Sequence, residues 1–174
     1  MANRDFPRGL WPIGHLNGAP INTRPYQLTT GYIVRRGEVL KAVTGGTVED
    51  STAADGAIVI GVSADYVDDT DTTAADYGLK TVNVYDDPNI IFGVQAVTGT
   101  TPALIGIFAI SDLGTCTSTT QLSNTELTYT GGNAQVMIIG KVPDVDNAWG
   151  EHADLMVIFN EHVYIAARNA VGTV

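Results

Sequence analysis

The sequence predicts a mainly β protein, an antiparallel barrel or sandwich body led by an extended N-terminal arm. Three observations predict it. The 174 residues are rich in Thr, Val, Gly, Ala and Asp and poor in Lys and Glu, a composition that suits a half-buried pleated surface better than exposed helices. Apolar runs of strand length recur every 10–20 residues or so, broken by Gly, Pro and Asp, as in sandwiches and barrels. The first 36 residues hold Pro7, Pro12, Pro20 and Pro25, and proline removes a backbone donor and blocks regular helix.

Residues 1–31 are therefore expected to form the arm, 32–165 the β-rich body and 166–174 a C-terminal tail. The arm also carries Phe6, Leu10, Trp11, Ile13 and Leu16, so it must lie on something: the body, a neighbouring subunit or a larger partner. Tyr32-Ile33-Val34 reads as a short strand. Val39 to Val43 is a second, and Gly45-Gly46 turns it into Thr47-Val48-Glu49. Ala57 to Val62 is a near-continuous apolar run. Asp65 to Tyr77 is acidic, lacks periodicity and reads as a long loop. Lys80 to Tyr85 alternates with period two. Asp86-Asp87-Pro88-Asn89 is a turn, with Asp as cap and Pro fixing φ. Ile90 to Val97 follows as a strand, and Ala103 to Ile110 is ambiguous between strand and short helix. Thr115 to Ser123 is a polar loop containing Cys116. Glu126 to Tyr129, Ala134 to Val142 and Asp154 to Phe159 complete the strands, with a turn at 131–133 and a loop at Pro143 to Asn147.

Charge is divided unevenly. Residues 1–36 contain Arg4, Arg8, Arg24, Arg35 and Arg36 against Asp5 alone, giving +4, whereas residues 37–174 carry −14. The net charge of −10 argues against a general nucleic-acid binder, which needs a basic footprint. No apolar run is long enough to span a membrane as a helix. The N-terminus lacks the apolar core of a signal peptide, so export by that route is not expected. Cys116 is the lone cysteine, which excludes an intramolecular disulfide and a cysteine zinc site.

Motifs for chemistry are scarce. His152 and His162 stand ten apart beside Glu151 and Glu161. That spacing fits no helical metal pair, and surface groups at strand ends are the expected reading. The acids from Asp65 to Asp76 fail the EF-hand pattern: the sixth and twelfth positions are Thr70 and Asp76 rather than Gly and Glu. A solvated acidic loop is expected, with an arginine-rich arm from a neighbour as another use. No Gly-x-Ser-x-Gly and no phosphate-cradling Gly-rich loop occurs. Cys116 has no basic neighbour in sequence to activate it and reads as filler. An enzyme, a cofactor and a metal are accordingly not expected. Trp11 is read as a contact anchor and Trp149 as a packing residue, since interface cores favour Trp and Arg.

The order of several loose motifs resembles the head decoration, or capsid cement, proteins of tailed bacteriophages. These are the opening Met1 to Gly9 with Pro12 to Leu16, then Gly37 to Leu40, then Gly56 to Val62. Val84 to Pro88 with Phe92 to Gln95 follows, and Asp146 to Gly150 with Val157 to His162 closes the series. The acidic stretch Asp65 to Tyr77 has no counterpart in the pattern.

The resemblance implies a viral structural protein, made in the host cytoplasm, that coats and stabilises the outer surface of an icosahedral phage capsid in the virion. It implies the major capsid protein as partner and self-association, usually as a trimer and sometimes as a dimer, or else a monomer, with trimer the expected state here. It implies no catalytic residue, nucleic acid or membrane. The interface is expected at Arg4, Phe6, Arg8, Trp11, Leu16, Arg24, Arg35 and Arg36, the arginines meeting carboxylates in paired hydrogen bonds. On this reading the body folds without residues 2–25. The alternatives are a phage tail or fibre β module that binds a receptor or glycan, a small β-barrel hydrolase, and a free-standing ligand-binding barrel.

Overall fold

The computed structural model describes residues 3–52, 59–97, 110–128 and 135–165. The start of the run at 57–58, most of the run at 103–110, Tyr129, the turn at 131–133 and the tail 166–174 lie outside the described residues. Within them the chain is nearly all β. Numbered along the chain, a six-stranded antiparallel sheet runs in the order β1 (Trp11–His15), β9 (Ile90–Gln95), β13 (Asp154–Phe159), β12 (Val136–Lys141), β10 (Ile110–Leu113), β11 (Leu127–Thr128). A five-stranded antiparallel sheet follows the order β2 (Arg24–Gln27), β8 (Thr81–Tyr85), β6 (Val59–Ser63), β4 (Val39–Ala42), β5 (Val48–Asp50). A small pair joins β3 (Ile33–Val34) to β7 (Val67–Asp68), so the acidic stretch expected as loop contains a short strand. The chain turns helical at Val163, and among the described residues no helix is long and apolar enough to cross a membrane.

Each large sheet curls. A parallel bridge between Ala96 and Leu127 brings the last strand back to the end of β9, and Leu28–Val48 does the same for the five-stranded sheet. Neither sheet closes with a continuous ladder. Period-two alternation buries one face of β9 through Ile90, Phe92 and Val94, and one face of β13 through Leu155, Val157 and Phe159. These form the larger core with Val136 and Ile138, where Phe92 and Phe159 rings pack at 5.4 Å. Leu28, Val34, Leu40, Val48, Ile60, Val82 and Val84 form a second core inside the five-stranded sheet.

Strand β6 serves both cores, which is why its apolar run is unbroken. Leu40 pairs with Gly61 and Lys41 with Val59, leaving Ile60 as the extra residue of a β-bulge. The bulge resets the alternation. Val59 and Val62 both face the larger core while Ile60 faces the smaller one. Gly61 sits at φ +150°, where a Cβ would overlap the Tyr85 carbonyl.

The N-terminal segment lies on the body, one of the three surfaces open to it on sequence grounds. Two stretches of it join the sheets. β1 pairs with β9, Trp11 opposite Gly93 and His15 opposite Ile90, and β2 pairs with β8. Both are edge strands, the place where Pro12 and Pro25 are tolerated. Leu10 is 2% exposed and Leu28 fully buried. The expectation that the body folds without residues 2–25 is therefore corrected. That deletion removes β1, strips Leu10 from the larger core and exposes the edge of β9.

Candidate interaction surface

The face of β9 opposite the core is built to receive the N-terminal segment. Ile91, Gly93 and Gln95 share it by alternation. Gly93 leaves room for the Trp11 ring, which would collide with any Cβ there. Gln95, only 4% exposed, clamps the backbone further out. Its Oε1 accepts from the Phe6 N–H at 2.9 Å, and its Nε2 donates to the carbonyls of Arg4 (3.0 Å) and His152 (3.2 Å). Asn3 donates to the Ala148 and Glu151 carbonyls, both at 2.8 Å, and accepts from the Ala148 N–H at 2.9 Å. The Leu10 N–H donates to the Gly37 carbonyl at 2.9 Å.

These contacts sort the eight expected interface residues. Three are partly buried and engaged within the chain. Arg8 pairs with Asp154 at 3.1 Å and stacks 3.8 Å over the Trp11 ring, itself half-buried on Gly93. Arg35 lies 3.8 Å from the buried Glu38, whose carboxylate also accepts the Arg35 N–H at 2.7 Å. The other five face solvent. Phe6 is 50% and Leu16 53% exposed. Arg4 lies 5.1 Å over the Phe6 ring. Arg36 is exposed and donates from Nε to the Ala64 carbonyl. Arg24 is exposed but also pairs with Asp86 at 3.4 Å and donates to the Tyr164 hydroxyl at 3.4 Å. Beside Arg4 and Phe6 lies an open cleft of about 360 Å³, lined also by Arg8, Asp144, His152 and Asp154. Burial raises the Asp154 carboxyl above its ordinary range, against the opposing pull of Arg8.

Asp86 holds the other end of the segment. It is 3% exposed and accepts from the hydroxyls of Tyr26 (2.6 Å) and Tyr164 (3.3 Å). Burial, and then the hydrogen bond to Asp86, pushes the Tyr26 hydroxyl far above the usual phenol range. Asp86→Ala removes the acceptor the two hydroxyls share and leaves them only each other, 2.7 Å apart. A loss of about 2 kcal/mol is expected in urea unfolding, with a smaller loss for Asp86→Asn, which keeps one acceptor oxygen.

Several sequence expectations are corrected here. Trp149 is 38% exposed in the turn-rich stretch before β13 and plugs no core. His152 and His162 sit at opposite ends of β13, and His162 is not a surface group: it is 1% exposed, between the rings of Phe159 and Tyr164. The acidic loop is not uniformly solvated. Asp69 is fully buried and accepts the Gly78 N–H at 3.0 Å, while Asp65 accepts from Asn83 at 2.7 Å. Asp68 and Asp71 sit below the usual carboxylate range because the Thr70 and Thr73 hydroxyls donate to them. Burial raises the Glu38 carboxyl above its ordinary range, against the pull of Arg35. Sequence reasoning missed Gln95. The signal available was one polar residue closing an alternating strand whose other residues are apolar or Gly.

Comparison with known proteins finds no family model, no curated protein and no solved structure that matches the chain.

Proposed function

We propose that this chain is a viral structural protein that coats and stabilises the outer surface of an icosahedral phage capsid, bound through its basic N-terminal segment. The supporting observation is that the segment's backbone is fixed to the body while Arg4, Phe6, Leu16, Arg24 and Arg36 face outward. A surface ordered before binding loses less entropy on binding than a free arm. Exposed aromatic and arginine side chains are the residue types that carry interface energy. The strongly acidic remainder repels like surfaces and leaves this basic strip to select an acidic partner. The order of motifs along the chain supports the same reading. The partner is the major capsid protein, with further copies of the chain, as a trimer, on the same lattice. Repetition over that lattice multiplies a modest affinity per site. Binding of this kind needs no catalytic group and no cofactor.

The test is co-sedimentation with expanded, cement-free phage heads at low and high salt. Saturation at hundreds of copies per head, weakened by salt, is expected. Saturation at a few copies indicates a tail or fibre module instead, and absence of binding removes the capsid reading.

A further inference from the structure

We propose that Asp5, Glu126 and His152 form a binding site for a divalent transition-metal ion, with zinc the best chemical match, that pins the start of the N-terminal segment to the body. The proposal stands apart from the capsid reading. One ligand atom from each side chain lies within 4.8 Å of the others, and the three come from separate parts of the chain. Asp5 belongs to the N-terminal segment, Glu126 precedes β11, and His152 precedes β13.

His152 is the informative member. Its Nδ1 is buried and has no hydrogen-bond partner. The Asp5 Oδ1 stands 3.6 Å away, beyond a hydrogen bond. Buried polar atoms in native proteins are satisfied, and an orphan points to an absent partner such as an ion. His152 is also the one non-glycine residue among those described with a left-handed backbone, at φ +57°. Strain of this kind persists where the surroundings impose it and gathers at functional sites. Here Gln95 holds the His152 carbonyl at 3.2 Å, the same side chain that clamps Arg4 and Phe6. Two carboxylates, Asp5 and Glu126, face one imidazole, and among the described residues neither is paired with a Lys or Arg.

The donor set selects the metal. Calcium and magnesium take oxygen ligands, so an imidazole disfavours them. Zinc accepts one nitrogen and two oxygens at about 2.0–2.2 Å and fills a fourth position with water. Tetrahedral edges at those lengths are about 3.4 Å. The His152–Asp5 separation is close to that already, and a small side-chain adjustment brings Glu126 in.

The experiment uses the full, tag-free chain stripped with chelator and titrated with Co²⁺, then Zn²⁺. One Co²⁺ per chain with a visible tetrahedral absorption band, displaced by one equivalent of Zn²⁺, is expected. Asp5→Asn, Glu126→Gln and His152→Asn should each weaken binding by more than the roughly 10–100-fold that loss of a supporting residue costs. Asn suits position 152 because it tolerates positive φ, and Asp5 is exposed enough for its variant to leave the fold intact. Zn²⁺ should also slow tryptic cleavage after Arg4 and Arg8 in the parent chain but not in the Asp5 variant. Absence of the band, or equal affinity in the parent and the folded Asp5 variant, would overturn the site.

Discussion

Gly61→Ala lowers stability by on the order of 4 kcal/mol. Two costs combine there. The backbone at φ +150° is strained for a residue with a Cβ. The added carbon also has no space, because it overlaps the carbonyl of Tyr85 on the neighbouring strand, and backbone cannot rotate away as a side chain can. Relief requires β6 to lose its bulge. That reverses the alternation beyond the bulge, so Val62 exchanges the larger core for the smaller one. Both cores depend on that strand, so a loss of this size is a large part of a typical domain's total stability. Equilibrium urea unfolding measures it. A loss below about 1 kcal/mol would mean that the bulge does not set the register.

Gly93→Ala acts on the other side of the fold and lowers stability by about 3 kcal/mol. A Cβ at this position enters the Trp11 ring. The ring cannot stay, and with it goes the stacking of Arg8, 3.8 Å away, and the hold of β1 on β9. The consequence is more than global. The N-terminal segment should loosen first, so amide hydrogens of residues 3–15 should exchange faster than those of β12 and β13. Trp11→Gly in the Gly93→Ala background should cost less than the sum of the two changes, because each removes the same contact. Uniformly faster exchange across all strands would show that the segment is not a separate unit.

The strands of the body were legible because burial imposes period two on them or, in β6, an apolar run. Val82 and Val84, and Ile90, Phe92 and Val94, are inward as their alternation requires. β1 and β2 were not legible. Pro12, Gly14 and Pro25 interrupt any pattern, and only an edge position, which no local window reveals, makes such strands possible. The two tryptophans show the same limit. Trp11 is the one with a built seat, Gly93, which lies far off in sequence, whereas Trp149 has none among its neighbours in the chain. Charge partitioning identified the arginines but not their use. Arg8 meets Asp154 across 146 residues, so which cations remain outward is a property of the fold. The Asp5, Glu126 and His152 grouping was invisible for the same reason: its members share no spacing, only the convergence of the ends of β9, β11 and β13.

On the proposed function, the outward face of the docked N-terminal segment makes the contact with the shell. The most direct measurement is binding of a fourfold variant, Arg4→Glu, Phe6→Ser, Leu16→Ser and Arg36→Glu, to cement-free expanded heads, read beside its melting temperature. These four side chains are exposed, so melting should change little. If each contributes as an interface hot spot does, about 2 kcal/mol, affinity should fall at least about 100-fold even with strong non-additivity. Unchanged binding of a normally folded variant would contradict the account and place the contact elsewhere on the chain.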